Sequence, residues 1–300
     1  MTASLLSESF LIGGDLPVRR FGFGAMQLTG PGIWGPPKDR ANALAVLRHA
    51  VELGVNFIDT ADVYGPGDNE RLIREALHPY PPDLVIATKA GLVRSGPGTR
   101  TNPGFSMNGT PAHIRRAVDG SLRDLDVECI DLYQLHRVDP VTPIEETMDV
   151  FRALREEGKI KHIGLSEVSV EQIERARVVV EIATVQNVYS LANRKHDSVL
   201  AHCESRGIGF IPFWPLHLDA LAGSETLARI AVQTAATPPQ VALSWLLRKS
   251  AATILIPGTS SVAHLEENVA AREVEFSDAQ MRELEQLGKS LVAKVSVDAR

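Results

Sequence analysis

Cysteine is scarce in this 300-residue chain: Cys129 and Cys203 are the full complement, far apart and in no metal-ligand or redox spacing. A disulfide-stapled secreted scaffold is therefore not expected, and a reducing compartment, the cytoplasm, is. No apolar run approaches the roughly 18 residues that a membrane span needs. The opening stretch MTASLLSESFLIGGDLPV has no basic start and no long apolar core, so no signal peptide is read there. The net charge is −6, with 37 acidic and 31 basic residues intermingled. With no basic stripe, nucleic acid is not an expected partner. A glycine-rich dinucleotide fingerprint is also missing. Gly22 and Gly24 run into Met26 and Gln27 with no third glycine, which speaks against an open doubly wound sheet. No metal-ligand cluster and no nucleophile motif is present to support a hydrolase.

What the chain does have is alternation. Eight short apolar runs recur: Phe21–Gly24, Asn56–Asp59, Leu84–Thr88, Ile130–Leu135, Ile160–Leu165, Thr184–Gln186, Ile208–Ile211 and Thr253–Ile256. The segments between them carry helical spacing. Leu44, Leu47 and Val51 share one face, as do Ile114, Val118, Leu122 and Leu125 behind Thr110 at the N-cap and Pro111 at N1. Ile144, Met148 and Phe151 continue the pattern, and Gly158 ends it. Strands alternating with helices mean parallel sheet, and eight such units in one chain of this length predict a closed (β/α)8 barrel, one α/β domain over residues 1–300. Before the first barrel strand, Phe10–Ile12 and Pro17–Arg20 flank Gly13-Gly14-Asp15, so residues from about 1 to 20 are expected to form a β-hairpin plugging the barrel bottom. The segment after Gly288, about 289–300, reads as a loosely held tail. Two long loops, 29–38 and 90–108, follow the first and third strands, on the face where barrels carry their chemistry.

Four polar residues sit at or just beyond strand ends: Asp59 and Tyr64 in NFIDTADVYG, Lys89 in VIATKAG and His136 in DLYQLHRVD. Singly each has an ordinary reading: a turn-forming aspartate, a packing tyrosine, a lysine with a buried stem, a core histidine. Together, at the ends of three consecutive strands, they make a proton-donor site. A tyrosine with an ordinary pKa of about 10 exchanges protons poorly at neutral pH, and a neighbouring ammonium lowers it. Asp59 would hold the Lys89 ammonium in place, a neutral His136 would orient a carbonyl, and Tyr64 would protonate the forming alkoxide or deprotonate an alcohol in reverse.

The segments NFIDTADVYG, ATKAG, LHRVD, GLS, VQNVYS and IPGTSSVAHLEEN, in this order and spacing from about Arg20 to Glu285, resemble the aldo-keto reductase family. The resemblance implies a barrel that binds NADP(H) without a Rossmann domain and uses the tetrad Asp59, Tyr64, Lys89, His136 as its catalytic residues. It places Gly24, Ala25, Met26, Asp59, Ser166, Glu167 and Gln186 at the cofactor, with Ser166 and Gln186 on the nicotinamide carboxamide. It also places there Phe213 as the stacking ring beside Trp214, Pro215 and Leu216, and the run Ile256, Gly258, Thr259, Ser260, Ser261, His264, Glu267 and Asn268 at the adenosine end. Two departures stand out. Glu167 replaces the amide many members carry; if it faces the ring it favours the cationic oxidised cofactor. Gly258 and His264 fill positions where related sequences often carry a lysine and an arginine for the 2′-phosphate, so NAD(H) is expected to be tolerated.

Within the family, RFGFGAMQLTGPGIWGPPKDR and TPPQVALSWLLRKSAATILIPGTSSVAHLEENVAA resemble bacterial pyridoxal reductase (pyridoxine 4-dehydrogenase)-like members. That implies a small aldehyde or ketone substrate, lined by Met26, Trp34, Tyr64, Phe105, His136 and Arg137. The competing expectation is a regulatory member of the fold, akin to potassium-channel β subunits, that binds nucleotide as a redox sensor with little turnover. No metal or membrane is implied, and the sequence is neutral between monomer and homo-oligomer.

Overall fold

A computed structural model describes residues 9–298 except 100, 103 and 217. The N-terminal hairpin is β1 (Ser9–Ile12) and β2 (Leu16–Arg19), antiparallel and turned through Gly13 and Gly14. The barrel strands follow as β3 (Phe23–Gly24), β4 (Phe57–Asp59), β5 (Val85–Ala90), β8 (Ile130–Leu135), β9 (Ile160–Ser166), β10 (Thr184–Val188) and β11 (Gly209–Phe213), each parallel to the next. Between β5 and β8 lies a small antiparallel hairpin, β6 (Leu92–Arg94) and β7 (Phe105–Met107). The helices are α1 (Arg40–Glu52), α2 (Asp68–Leu77), α3 (Pro111–Leu125), α4 (Ile144–Glu156), α5 (Val170–Val179), α6 (Asp197–Arg206), α7 (Leu218–Leu221), α8 (Glu225–Gln233), α9 (Pro238–Lys249), α10 (Val262–Ala270) and α11 (Asp278–Asp298). None of the described helices is long and apolar enough to cross a membrane.

Seven strands pair in a regular ladder, and the predicted eighth closes the ring by two single bridges. Thr253 bridges Phe210 and Leu255 bridges Phe21. The backbone bonds are Ile254 N to Phe210 O at 2.8 Å, Leu255 N to Arg20 O at 2.8 Å and Gly22 N to Leu255 O at 2.7 Å. The closure is fastened by the buried Arg20, whose guanidinium donates to the carbonyls of Thr253, Leu247 and Ser250. A (β/α)8 barrel results.

Along each strand alternate residues face the lumen, as the two-residue pleat requires. Phe57, Val85, Leu132, Ala183, Ile211 and Ile254 form the lower filling, and Ile12 and Val18 of the hairpin pack into the same cluster, both fully buried. The hairpin thus seals the barrel end opposite the strand C-termini. The helices cover the outside with their apolar stripes. Thr110 stands at the N-cap position of α3 without a side-chain capping bond, Pro111 is at N1, and Gly158 follows α4 at φ 75°.

Two expectations need correction. The 90–108 segment is not plain loop, because β6 and β7 fold it into a hairpin over the barrel mouth. Three-residue strands around a Pro- and Gly-rich tip leave too short an alternation to read. The segment after Gly288 is helical rather than irregular: α11 runs through it to Asp298, and Leu291 packs against the core. Residues 1–8 and 299–300 of the predicted hairpin and tail lie outside the described residues.

Candidate active site

The lumen-facing alternation delivers a polar layer at the strand C-termini. Two residues above Phe57 stands Asp59, two above Ala87 stands Lys89, two above Leu132 stands Gln134, and Ser166 and Gln186 stand at the same level of β9 and β10. Lys89 is fully buried, Asp59 is nearly so, and they form an ion pair with Lys89 Nζ 2.5 Å from Asp59 Oδ1. Nζ also donates to the Thr60 carbonyl at 2.7 Å. The other carboxylate oxygen, Oδ2, accepts from Gln186 Nε2 at 2.9 Å and Gln134 Nε2 at 3.1 Å. The buried charge pair is therefore compensated on both sides, which a buried pair requires.

Gln134 was not among the residues nominated from sequence, although its even register with Leu132 places it inward. Room for it comes from Gly164 on the neighbouring strand. A Cβ there would lie 2.8 Å from Gln134 Cγ and 2.3 Å from Thr184 Oγ1. Gly164→Ala is expected to lower stability by roughly 1–3 kcal/mol through overpacking, read as a lower denaturant midpoint at unchanged slope. An unchanged midpoint would show that this layer yields freely.

Past the strand end, Thr60 N and Asp62 N still bond the Ala87 and Lys89 carbonyls of β5, at 2.8 and 3.2 Å. A turn closed by Tyr64 N to Ala61 O then swings Tyr64 over the ion pair. Lys89 Nζ lies 5.3 Å from the Tyr64 ring centre, and the His136 ring meets Tyr64 edge-on at 5.9 Å between centroids. His136 is fixed by its backbone N–H on the Ala90 carbonyl. The four predicted residues are thus brought together. The electrostatics differ from expectation in one respect. Burial raises the Tyr64 phenol above its ordinary range, and the Lys89 ammonium offsets this only in part. Burial is the strongest single influence on the Lys89 ammonium and disfavours it, but Asp59 and Tyr64 together outweigh burial and the pKa rises. His136 is pushed well down by burial and then by the cations Lys89, Arg137 and Arg94, so it is neutral. Its Nδ1 is buried with no hydrogen-bond partner among the described residues. The resting site holds a protonated phenol against an ammonium, beside a neutral imidazole.

Around Tyr64, Ala61, Val63 and Leu92 are buried and Met26, Ile33 and Phe105 pack against them. Met26 and Phe105, both expected at the substrate, lie in this cluster. Trp34, also expected there, lies outside this cluster and is 39% exposed, while its neighbour Ile33, at a positive φ of 59°, packs into it. Arg94, not foreseen, ties the new hairpin to the first loop through the Gly32 and Ile33 carbonyls. Phe213 is half-buried on the lumen side, while Trp214, at φ 52°, turns outward and is 60% exposed. Pro215 is buried and Leu216 half-buried. Gly24 and Gly258 approach backbone to backbone, and a Cβ on Gly258 would lie 2.7 Å from the Gly24 carbonyl; Ala25 and Ile256 are buried beneath them.

At the other end of this surface, the loop 259–261 enters α10. Ser261 Oγ caps the helix by accepting from His264 N, and Thr259 Oγ1 accepts from Ser261 N at 3.1 Å, so two of the three hydroxyls serve the loop itself. Ser260 and His264 are exposed, and no acidic residue occupies the first turn. Asn268 is buried, and Glu267 accepts from the Thr237 hydroxyl that caps α9. Glu167 is turned neither to the lumen nor freely to solvent. At φ 54° its carboxylate accepts from Val188 N at 2.6 Å and lies 3.7 Å from His196 Nε2. Ser166 Oγ is engaged by Arg137 at 2.9 Å.

The barrel carries an ion-paired lysine beneath a tyrosine and a neutral histidine at its mouth, and the sequence comparison identifies its class as oxidoreductase. Residues 20–289 match the Aldo/keto reductase family, to which the chain belongs. An uncharacterized oxidoreductase of Schizosaccharomyces pombe is 46% identical over 94% of this chain and 90% of its own length. The pyridoxine 4-dehydrogenase of Escherichia coli is 43% identical over 94% of this chain and 99% of its own. Among solved structures, an aldo-keto reductase from Klebsiella pneumoniae in complex with NADPH superposes with a TM-score of 0.79 at 25% identity, covering 94% of this chain and 95% of that one.

Proposed function

We propose that this protein reduces an aldehyde or ketone to an alcohol with NADPH, Tyr64 serving as the general acid. The observation that carries the reading is the buried stack of Asp59, Lys89 and Tyr64 with a neutral His136 at its edge. The orphaned Nδ1 of His136 and the acid-free first turn of α10 fit a bound dinucleotide whose phosphate meets the helix N-terminus. Met26, Ser166, Gln186 and Phe213 would hold its nicotinamide end, and Thr259, Ser260, His264 and Asn268 its adenosine end. When bound, the reduced nicotinamide supplies the hydride to the carbonyl carbon. His136 holds the carbonyl oxygen, Tyr64 delivers the proton to it as charge develops, and Lys89 stabilises the phenolate left behind until solvent returns the proton. Asp59, Gln134 and Gln186 keep Lys89 in position.

The apolar wall of Met26, Ile33, Leu92 and Phe105 beside Tyr64 suits a small aromatic carbonyl, and the Escherichia coli relative makes pyridoxal the first substrate to try. With neither lysine nor arginine among residues 257–264, NADH is expected to serve at reduced efficiency. Loss of NADPH absorbance with pyridoxal and with an activated aromatic aldehyde, and the same with NADH, tests the reading. Rapid oxidation supports it. Tight nucleotide binding with no carbonyl consumed points instead to a nucleotide-sensing member of the family.

A further inference from the structure

Arg137 follows His136 off the end of β8, and its guanidinium turns back into the mouth. Nη1 donates to the His136 carbonyl at 2.6 Å and to Ser166 Oγ at 2.9 Å. The guanidinium carbon lies 5.5 Å from the centre of the Phe213 ring. One cation therefore lies against two of the residues assigned above to the nicotinamide. Nε and Nη2 donate to no protein atom among the described residues. The anion it senses is Glu167, which is beyond ion-pair distance and is held by Val188 N. The positive charge in this part of the pocket is thus fixed, half-buried and only partly balanced.

We infer that Arg137 sets the redox preference of the nicotinamide subsite, weakening the oxidised, cationic ring relative to the reduced, neutral one. This rests on the proposed function above. A nicotinamide that approaches Ser166 and Phe213 must displace the guanidinium or lie beside it. In either geometry a positive ring meets a fixed positive charge at short range in a poorly screened site, and a neutral ring does not. Glu167 acts in the opposite sense, not by facing the ring but by partly cancelling Arg137. The consequence is a site that releases NADP+, the oxidised cofactor left after carbonyl reduction, more readily than it releases NADPH.

The test is direct titration of NADP+ and NADPH, without a carbonyl substrate, against the wild type, Arg137→Met and Glu167→Gln, followed by calorimetry or tryptophan fluorescence. Methionine keeps the apolar stem length and removes the charge. The ratio of Kd for NADP+ to Kd for NADPH is expected to fall about tenfold in Arg137→Met, mainly through tighter NADP+, as removal of one nearby charge predicts. In Glu167→Gln it is expected to rise severalfold. An unchanged ratio in Arg137→Met overturns the inference. So does equal weakening of both forms with an unchanged circular dichroism spectrum, which would make Arg137 a prop for Ser166 and Phe213. If neither nucleotide binds the wild type, it is the proposed function that fails.

Discussion

Tyr64→Phe is expected to lower kcat for carbonyl reduction by about a thousandfold while leaving NADPH affinity within a few fold of wild type. General acid catalysis by a positioned side chain is worth roughly 10²–10⁴ in rate, and here no other group stands ready to replace it. His136 is neutral and held low by burial and by three cations, so it is a poor proton source. Lys89 is fully buried with its ammonium spent on Asp59 and the Thr60 carbonyl. The substitution removes one oxygen from a ring that is packed by Ala61, Val63, Leu92, Met26, Ile33 and Phe105, and so leaves the wall intact. Single-turnover kinetics with saturating NADPH, alongside a binding titration, separate the two effects. A Tyr64→Phe enzyme that retains a tenth or more of wild-type kcat would remove Tyr64 from its proposed role. The raised phenol pKa adds a second signature. Because burial outweighs the pull of Lys89, Tyr64 stays protonated through neutral pH and reduction should not decline until strongly alkaline conditions.

The alternation of apolar runs and helical stripes made the barrel legible before any coordinates, because both periods are long-range features of a chain whose strands are all buried. The catalytic-looking layer was legible for the same reason: Asp59 and Lys89 stand at or near the ends of strands whose inward register is set by Phe57 and Ala87, whereas Gln186 was placed only by the resemblance. Gln134 obeys the same rule and was passed over only because an amide beside DLY carries no chemical signal of its own. What could not be read depends on side chains choosing among partners. Glu167 was weighed as a neighbour of the ring, whereas at a positive φ of 54° its carboxylate accepts from the Val188 N–H. Ile33, at a positive φ of 59°, packs beside Tyr64 with no signal in the sequence to mark it. The short hairpin of β6 and β7 and the helical end of α11 are not legible where the local pattern is brief or the chain nears its end. Gly288 lies inside the helix, where a Cβ would stand 2.7 Å from the Leu191 carbonyl.

The second large effect concerns stability and lies just behind the site. Glu70 on α2 is 1% exposed and accepts a hydrogen bond from the Thr88 hydroxyl, next to Lys89 in the chain. Burial raises its pKa from 4.5 to about 7, only partly opposed by the Thr88 hydroxyl. Asp62, also buried, is raised well above its ordinary value by burial and by Glu70. A carboxyl whose folded pKa exceeds its unfolded one binds its proton more tightly in the folded state, so folding is favoured at low pH. That contribution is complete below about pH 4.5 and is lost as pH rises through about 7. At ~1.4 kcal/mol per pKa unit, the loss is about 3 kcal/mol. Wild-type unfolding free energy should therefore decline between pH 5 and pH 8. Glu70→Gln keeps the carbonyl that Thr88 needs and cannot ionise. It should match the wild type at pH 5 and exceed it by about 3 kcal/mol at pH 8, measured by urea denaturation at both pH values. Parallel decline of the two proteins would mean that Glu70 remains charged in the folded state, stabilised by more than the Thr88 hydroxyl, and that the pH dependence arises elsewhere.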